Sequence, residues 1–96
     1  MKEAVTKCPI TKVVELLSDK WTMLILYQLN NGSKRFCEIE RSLEGISTRT
    51  LTLKLNRLME EGVVLKIDGG LYETTKRGQG LRLIEKAMRK YEKEYL

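Results

Sequence analysis

A helix with both ends marked, followed at once by a β-hairpin, constrains this chain more than any other feature. Ser47 suits an N-cap, because its hydroxyl can accept from the unpaired N–H groups that open a helix. Leu51, Leu55, Leu58 and Met59 then recur at helical spacing, and Gly62 supplies the left-handed conformation on which helices end. The spacing predicts a helix over about 47–61. Next come VVLKI, the turn signal Asp68-Gly69-Gly70 and LYETT, two alternating β-rich runs that read as a hairpin over about 63–75. With Asp68-Gly69 as the turn, Leu65 is expected to face Tyr72 and Val63 to face Thr74.

Upstream, Pro9 suits the first turn of a helix that carries Ile10, Val13, Val14 and Leu17 and runs to about Leu17. Ser18-Asp19 breaks it. Asp19 can cap a second helix whose apolar set is Trp21, Leu24, Ile25, Tyr27 and Leu29, ending at Asn30-Asn31-Gly32. That helix is apolar on most of its circumference and is expected at the centre. Lys34-Arg35 reads as a short extended piece before a helix from about Phe36 to Leu43, with Ile39 and Leu43 inward and Gly45 closing it. After the hairpin, Leu81, Ile84, Met88, Tyr91 and Tyr95 form a heptad-like stripe along a last helix, about 78–95. The earlier elements already supply a core, so this stripe is expected to overhang it and to serve dimerisation.

Helix, helix, short strand, helix, helix, hairpin, helix is the order of a winged helix-turn-helix: mainly α with a small β-hairpin, with N- and C-terminal helices for dimerisation. Leu43 through Ser47 is then the turn, about 47–61 the recognition helix and about 63–75 the wing. No repeat, low-complexity stretch or linker interrupts the 96 residues, so one domain over 1–96 is expected. Hydrophobic residues at 42 % and charged residues at 32 % suit a soluble globular chain.

The absence of His removes histidine bases, His-containing zinc sites and Ser-His or Cys-His nucleophile pairs. Gly78-Gln79-Gly80 lacks the rest of any dinucleotide fingerprint. An enzyme is not expected, and neither is a cofactor or a metal. Cys8 and Cys37 make no C-x-x-C and read as free thiols, the start MKEAVTKCPI has no apolar signal core, and the run Met23 to Tyr27 is too short to span a bilayer. A cytoplasmic location and no membrane partner are expected.

The net charge is +5, and it is uneven: residues 1–46 carry seven basic and six acidic side chains, residues 47–96 eleven and seven. A polyanion is the first partner to consider. On the helix after Ser47, the face opposite Leu51, Leu55 and Leu58 holds Arg49, Leu53, Asn56, Arg57 and Glu60, flanked by Thr50 and Thr52. Between Ser47 and Arg57 lie Arg49, Lys54 and Arg57 and no acid. Arginine can pair with guanine or bind phosphate, asparagine can pair with adenine, threonine can donate to phosphate, and Leu53 can meet a thymine methyl. Lys20, Lys34, Arg35, Lys76 and Arg77 are expected to grip flanking phosphates of double-stranded DNA. The alternative from another class is a winged-helix protein-interaction module within a larger assembly.

The stretch from Cys8 to Val64 resembles HxlR-type winged helix-turn-helix transcriptional regulators, a group related in fold to MarR-type regulators. The landmarks are Cys8-Pro9, Lys20-Trp21 with Leu24-Ile25-Leu26, Arg35-Phe36-x-x-Ile39, Gly45-Ile46-Ser47 with Arg49, Leu51-Thr52 and Leu55, and Leu58 to Gly62. The resemblance implies a cytoplasmic homodimer that docks the helix after Ser47, with Ser47 and Thr48 at its start, in a major groove at an inverted repeat. It implies a dimer contact from the first and last helices, here Val13, Leu17, Leu81, Ile84, Met88, Tyr91 and Tyr95. The wing is shorter than the usual family hairpin and lacks its prolines, and Thr75-Lys76-Arg77-Gly78 is more similar to the MarR-type entry into the last helix. Cys8 sits where many members carry a cysteine, which some use to sense oxidants or electrophiles. Lys7 and Lys12 beside it, and a helix start after it, favour a thiolate. Cys37 reads as a buried small apolar residue.

Overall fold

The computed structural model describes residues 8–17 and 19–96. Lys7 beside Cys8, the rest of the 1–7 start, and Ser18 in the expected helix break lie outside the described residues. Helices α1 (Pro9–Leu16) and α2 (Lys20–Asn30) precede strand β1 (Lys34–Arg35) and helices α3 (Phe36–Ser42) and α4 (Thr48–Glu60). Strands β2 (Val64–Ile67) and β3 (Leu71–Thr74), the single turn α5 (Lys76–Gln79) and α6 (Arg82–Tyr95) complete the chain. The architecture is a winged helix-turn-helix, mainly helical, with a three-stranded antiparallel sheet in the order β1-β3-β2.

Side-chain caps define several helix starts. The Asp19 carboxylate accepts from the Thr22 N–H at 2.9 Å, and the Ser47 hydroxyl from the Thr50 N–H at 3.0 Å. Helix α2 lies at the centre, packed against α3, α4, β3, α5 and α6. It contributes Ile25, Leu26 and Leu29 to a core completed by Ile39, Leu43, Ile46, Leu51, Leu55, Leu58, Val63, Val64 and Tyr72. Each of those larger aliphatic side chains contributes about 1.5–3 kcal/mol by leaving water. Leu26 and Thr22, absent from the expected apolar set of this helix, are buried, whereas Leu24, which was in it, is exposed.

The hairpin register differs from expectation by one residue. The connection is three residues long, Asp68-Gly69-Gly70, because both glycines adopt positive φ (82° and 76°) and carry the chain round together. Ile67 therefore pairs with Leu71, Lys66 with Tyr72, Leu65 with Glu73 and Val64 with Thr74. The pairings Leu65 with Tyr72 and Val63 with Thr74 do not occur. Tyr72 instead lies under the Lys66 ammonium, 5.5 Å from its ring centroid.

The last helix also differs: the expected span from about 78 is divided. Thr75 caps α5, its hydroxyl accepting from the Gly78 N–H at 3.2 Å and donating to the Gly62 carbonyl at 2.7 Å. Gly78 is buried so close to the hairpin that a Cβ there would lie 2.2 Å from the Val63 carbonyl oxygen. The chain leaves this contact through Gly80 and Leu81, and α6 begins only at Arg82. Leu81 turns back onto the core and is half-buried.

Cys37 is exposed, a correction to its expected burial. Helix α3 buries Ile39 alone, and Cys37 lies about 200° round the helix from it.

Candidate nucleic-acid interface

The turn between α3 and α4 fixes how α4 is presented. Gly45 adopts φ 92°, Ile46 is buried and its N–H bonds the Leu43 carbonyl at 3.1 Å, and Ser47 opens α4. The Thr48 hydroxyl donates to the Glu40 carboxylate, which fastens the start of α4 to α3. Leu51, Leu55 and Leu58 face the core. On the opposite face Arg49, Thr52, Leu53 and Asn56 are exposed together, with Leu53 at 55 % of its full accessibility. Their spacing of three, four and seven from Arg49 places them in one stripe. The Thr52 hydroxyl donates back to the Thr48 carbonyl at 2.9 Å, and the Ser47 hydroxyl also bonds that of Thr50.

Several other basic residues on or beside the expected interface have partners inside the molecule. Arg57 is half-buried, its Nη2 donating to the Glu15 carbonyl at 2.7 Å. Lys54 forms a 2.6 Å ion pair with Asp19. Burial pushes the Asp19 carboxyl up, but the Lys54 hydrogen bond, the Thr22 N–H and the Lys54 charge outweigh it and hold the carboxyl below the ordinary aspartate range. Arg35 Nη1 donates to the Gly69 carbonyl at the hairpin tip (2.6 Å), and Arg77 Nη1 to the Glu61 carbonyl at the end of α4 (2.9 Å). Lys20 lies over the Trp21 ring at 4.7 Å, Lys34 is half-buried and pairs with Tyr72 across the sheet, and Lys76 is exposed at the start of α5.

The arginine contacts at helix ends share a physical cause. The last four carbonyls of a helix have no intrahelical donor, and a guanidinium there also meets the negative end of the helix dipole. Arg57 closes α1 in this way, Arg77 closes α4, and Arg82 closes α2 by donating to the Asn30 carbonyl at 2.6 Å. Nothing in local sequence marks these contacts, since each arginine lies 16 to 52 positions from its acceptor.

Cys8 is exposed and is the N-cap of α1. Its sulfur lies 3.1 Å from the Thr11 hydroxyl and accepts from the Thr11 N–H at 3.3 Å. Hydrogen bonding from that hydroxyl, then from that N–H, lowers the thiol pKa below the usual cysteine value. Thr11 was missed in the sequence, although its place three residues after a cap is where a capping partner is found.

Of the residues expected in a dimer contact, Val13, Met88, Tyr91 and Tyr95 are exposed, and the Tyr91 and Tyr95 rings lie 5.1 Å apart. Ile84 is half-buried, and Leu17 and Leu81 pack against the chain's own core. Among the described residues no cluster of three or more His, Cys, Asp or Glu could hold a metal ion, and no helix is long and apolar enough to cross a membrane.

A family model described as HxlR-like helix-turn-helix matches residues 16–96. The HTH-type transcriptional regulator YvaP of Bacillus subtilis (strain 168) is 50 % identical over 58 residues, which cover 59 % of this chain and 54 % of that protein. The chain spans about half the length of these curated relatives that it matches. Among solved structures, a transcriptional regulator of the MarR family from Porphyromonas gingivalis W83 superposes with a TM-score of 0.86 at 28 % identity, covering all of both chains. Quinone-bound YodB from B. subtilis gives a TM-score of 0.85 at 28 % identity, covering 93 % of this chain and 100 % of that one.

Proposed function

The chain belongs to the HxlR-like helix-turn-helix family of transcriptional regulators, and from that premise we propose that it binds double-stranded DNA as a homodimer, with α4 in the major groove. The observation that carries this reading is the exposed stripe of Arg49, Thr52, Leu53 and Asn56, set opposite the core face of α4 and free of acidic side chains until Glu60. One such helix contacts only a few base pairs, so two copies related by a two-fold axis are needed, with half-sites about 34–36 Å apart or a multiple of that. The exposed side chains of α6, with Val13 of α1, supply the self-complementary surface. Ser47 and Thr48 present the helix start to a phosphate, and Lys20, Lys34 and Lys76 meet the flanking backbone. The protein acts in the cytoplasm, where its target is.

Selection of bound genomic fragments at physiological salt is expected to return a shared inverted repeat. On that site Arg49→Ala and Asn56→Ala should each cost about 1–3 kcal/mol wherever a good base contact is lost. Unchanged binding by both variants in gel shifts would move the interface off this face of α4.

The operator complex also responds to thiol chemistry at Cys8. The lowered thiol pKa, its exposure and the likeness to a quinone-bound regulator support this. A quinone is expected to change operator affinity in the wild type, through addition of the Cys8 thiolate to the quinone ring, and to leave Cys8→Ser unaffected. A full response in Cys8→Ser would assign it elsewhere.

A further inference from the structure

We propose that Arg57 is a positioning residue that ties α4 to α1, so that the state of the first helix sets how the exposed face of α4 is held; this rests on the reading of α4 as the helix that meets DNA. Its Nη2 donates at 2.7 Å to the Glu15 carbonyl, in the last turn of α1. A guanidinium placed there meets the negative end of the helix dipole. One turn earlier on the same side of α4, Lys54 holds Asp19, the residue that caps α2. Two consecutive turns of α4 thus grip the corner between α1 and α2.

The grip matters because α1 is otherwise thinly attached. None of its residues is buried, and only Leu16 and the following Leu17 pack against the core. A cleft lined by Lys12, Glu15, Leu16, Arg57, Glu61 and Arg77 separates α1 from the end of α4 and from α5. Helix α1 is eight residues long, two turns with Cys8 capping one end and Arg57 the other. A helix so short is cooperative along its whole length, so losing the cap at one end weakens the other. Chemistry at Cys8 therefore reaches α4 through the Glu15 carbonyl and the Arg57 guanidinium, with no side chain of α1 needing to touch DNA.

The test uses the full chain and separates this coupling from the DNA reading. In the free protein, Arg57→Met should speed hydrogen exchange at the α1 amides by about tenfold, as for a lost hydrogen bond to a charged group. Cys8→Ala should shift the amide resonances of residues 54–57 in the wild-type background and leave them in place when Arg57→Met is also present, a dependence that a merely structural role does not produce. Should Arg57→Met fail to fold, Arg57→Lys keeps the charge but not the fork, and is expected to give the same loss of coupling with a smaller change in exchange. In DNA titrations Arg57→Met should keep the wild-type slope of affinity against salt. A slope lower by about one unit, the signature of a lost phosphate contact, with α1 exchange unchanged, overturns the proposal and returns Arg57 to the DNA. If the wild type binds no DNA, the functional reading fails while the exchange and resonance measurements still judge the tie.

Discussion

Helices α4 and α6 are close in length, 13 and 14 residues, and both repeat apolar side chains at three-and-four spacing. Helix α4 buries Leu51, Leu55 and Leu58, while α6 buries no residue at all. The difference lies in what surrounds them. Helix α4 is enclosed by α2 and β2 and tied to α3 through Thr48. Helix α6 leaves the core after Leu81 and is held along α2 by Arg82 at Asn30 and by Arg89, whose guanidinium donates to the Tyr27 hydroxyl. Periodicity therefore announces an apolar face without saying what covers it.

The sharpest way to break this comparison is to truncate both faces. Leu55→Ala should lose about 2–5 kcal/mol in urea unfolding, from lost burial and the cavity left behind. Tyr91→Ala, measured dilute enough to be monomeric, should change stability by no more than about 0.5 kcal/mol. Similar losses for the two would place α6 inside the core.

A second test concerns the point where the last helix is divided. Gly78→Ala puts a Cβ against the Val63 carbonyl, and the backbone shift it forces should cost about 1–3 kcal/mol. Retained thermal stability in that variant would mean that α5 can move away from the hairpin freely.

Charge placed on the outer face should separate assembly from folding. Met88→Glu is expected to leave the far-ultraviolet circular dichroism unchanged while moving the light-scattering mass from dimer towards monomer and lowering operator affinity with it. A variant that remains a well-folded dimer would remove α6 from the contact.

The smallest expected effect probes the ion pair on the inner side. The Asp19 carboxyl has its pKa lowered in the folded protein, so the pair stabilises above the unfolded value near 3.9 and that contribution is lost as pH falls through the folded value. Lys54→Met should cost about 1 kcal/mol or less at pH 6, and the gap to wild type should close in urea titrations as acid protonates the Asp19 carboxyl. A gap that persists in acid would assign the effect to packing instead.

Much of this molecule is legible in the sequence, because the signals are local. Asp19 and Ser47 open helices by accepting from N–H groups three residues on, and Gly45 and Gly62 adopt the positive φ that their places at helix ends suggest. What is not local is not legible. The hairpin register depends on whether one glycine or two carries the turn, and here Gly70 joins Gly69. The site is harder still. Arg49 and Asn56 can be set opposite the leucines by counting, but the partners of Arg35, Arg57 and Arg77 are carbonyls that only the folded chain brings near. Cys37 was placed inside from its residue type, whereas the narrow buried face of α3 turns it to solvent.

The hairpin tip, with Arg35 bonded to the Gly69 carbonyl and two strands of only four residues, has a thermodynamic consequence. Such a stub reaches about 13 Å along its strands, and its tip is hydrogen-bonded to the rest of the chain without any partner molecule. It has little chain entropy left to lose when it meets a surface, so association through it carries almost no cost of ordering. The heat-capacity change of a complex formed there will follow the apolar area covered, without the added contribution that folding a longer loop brings.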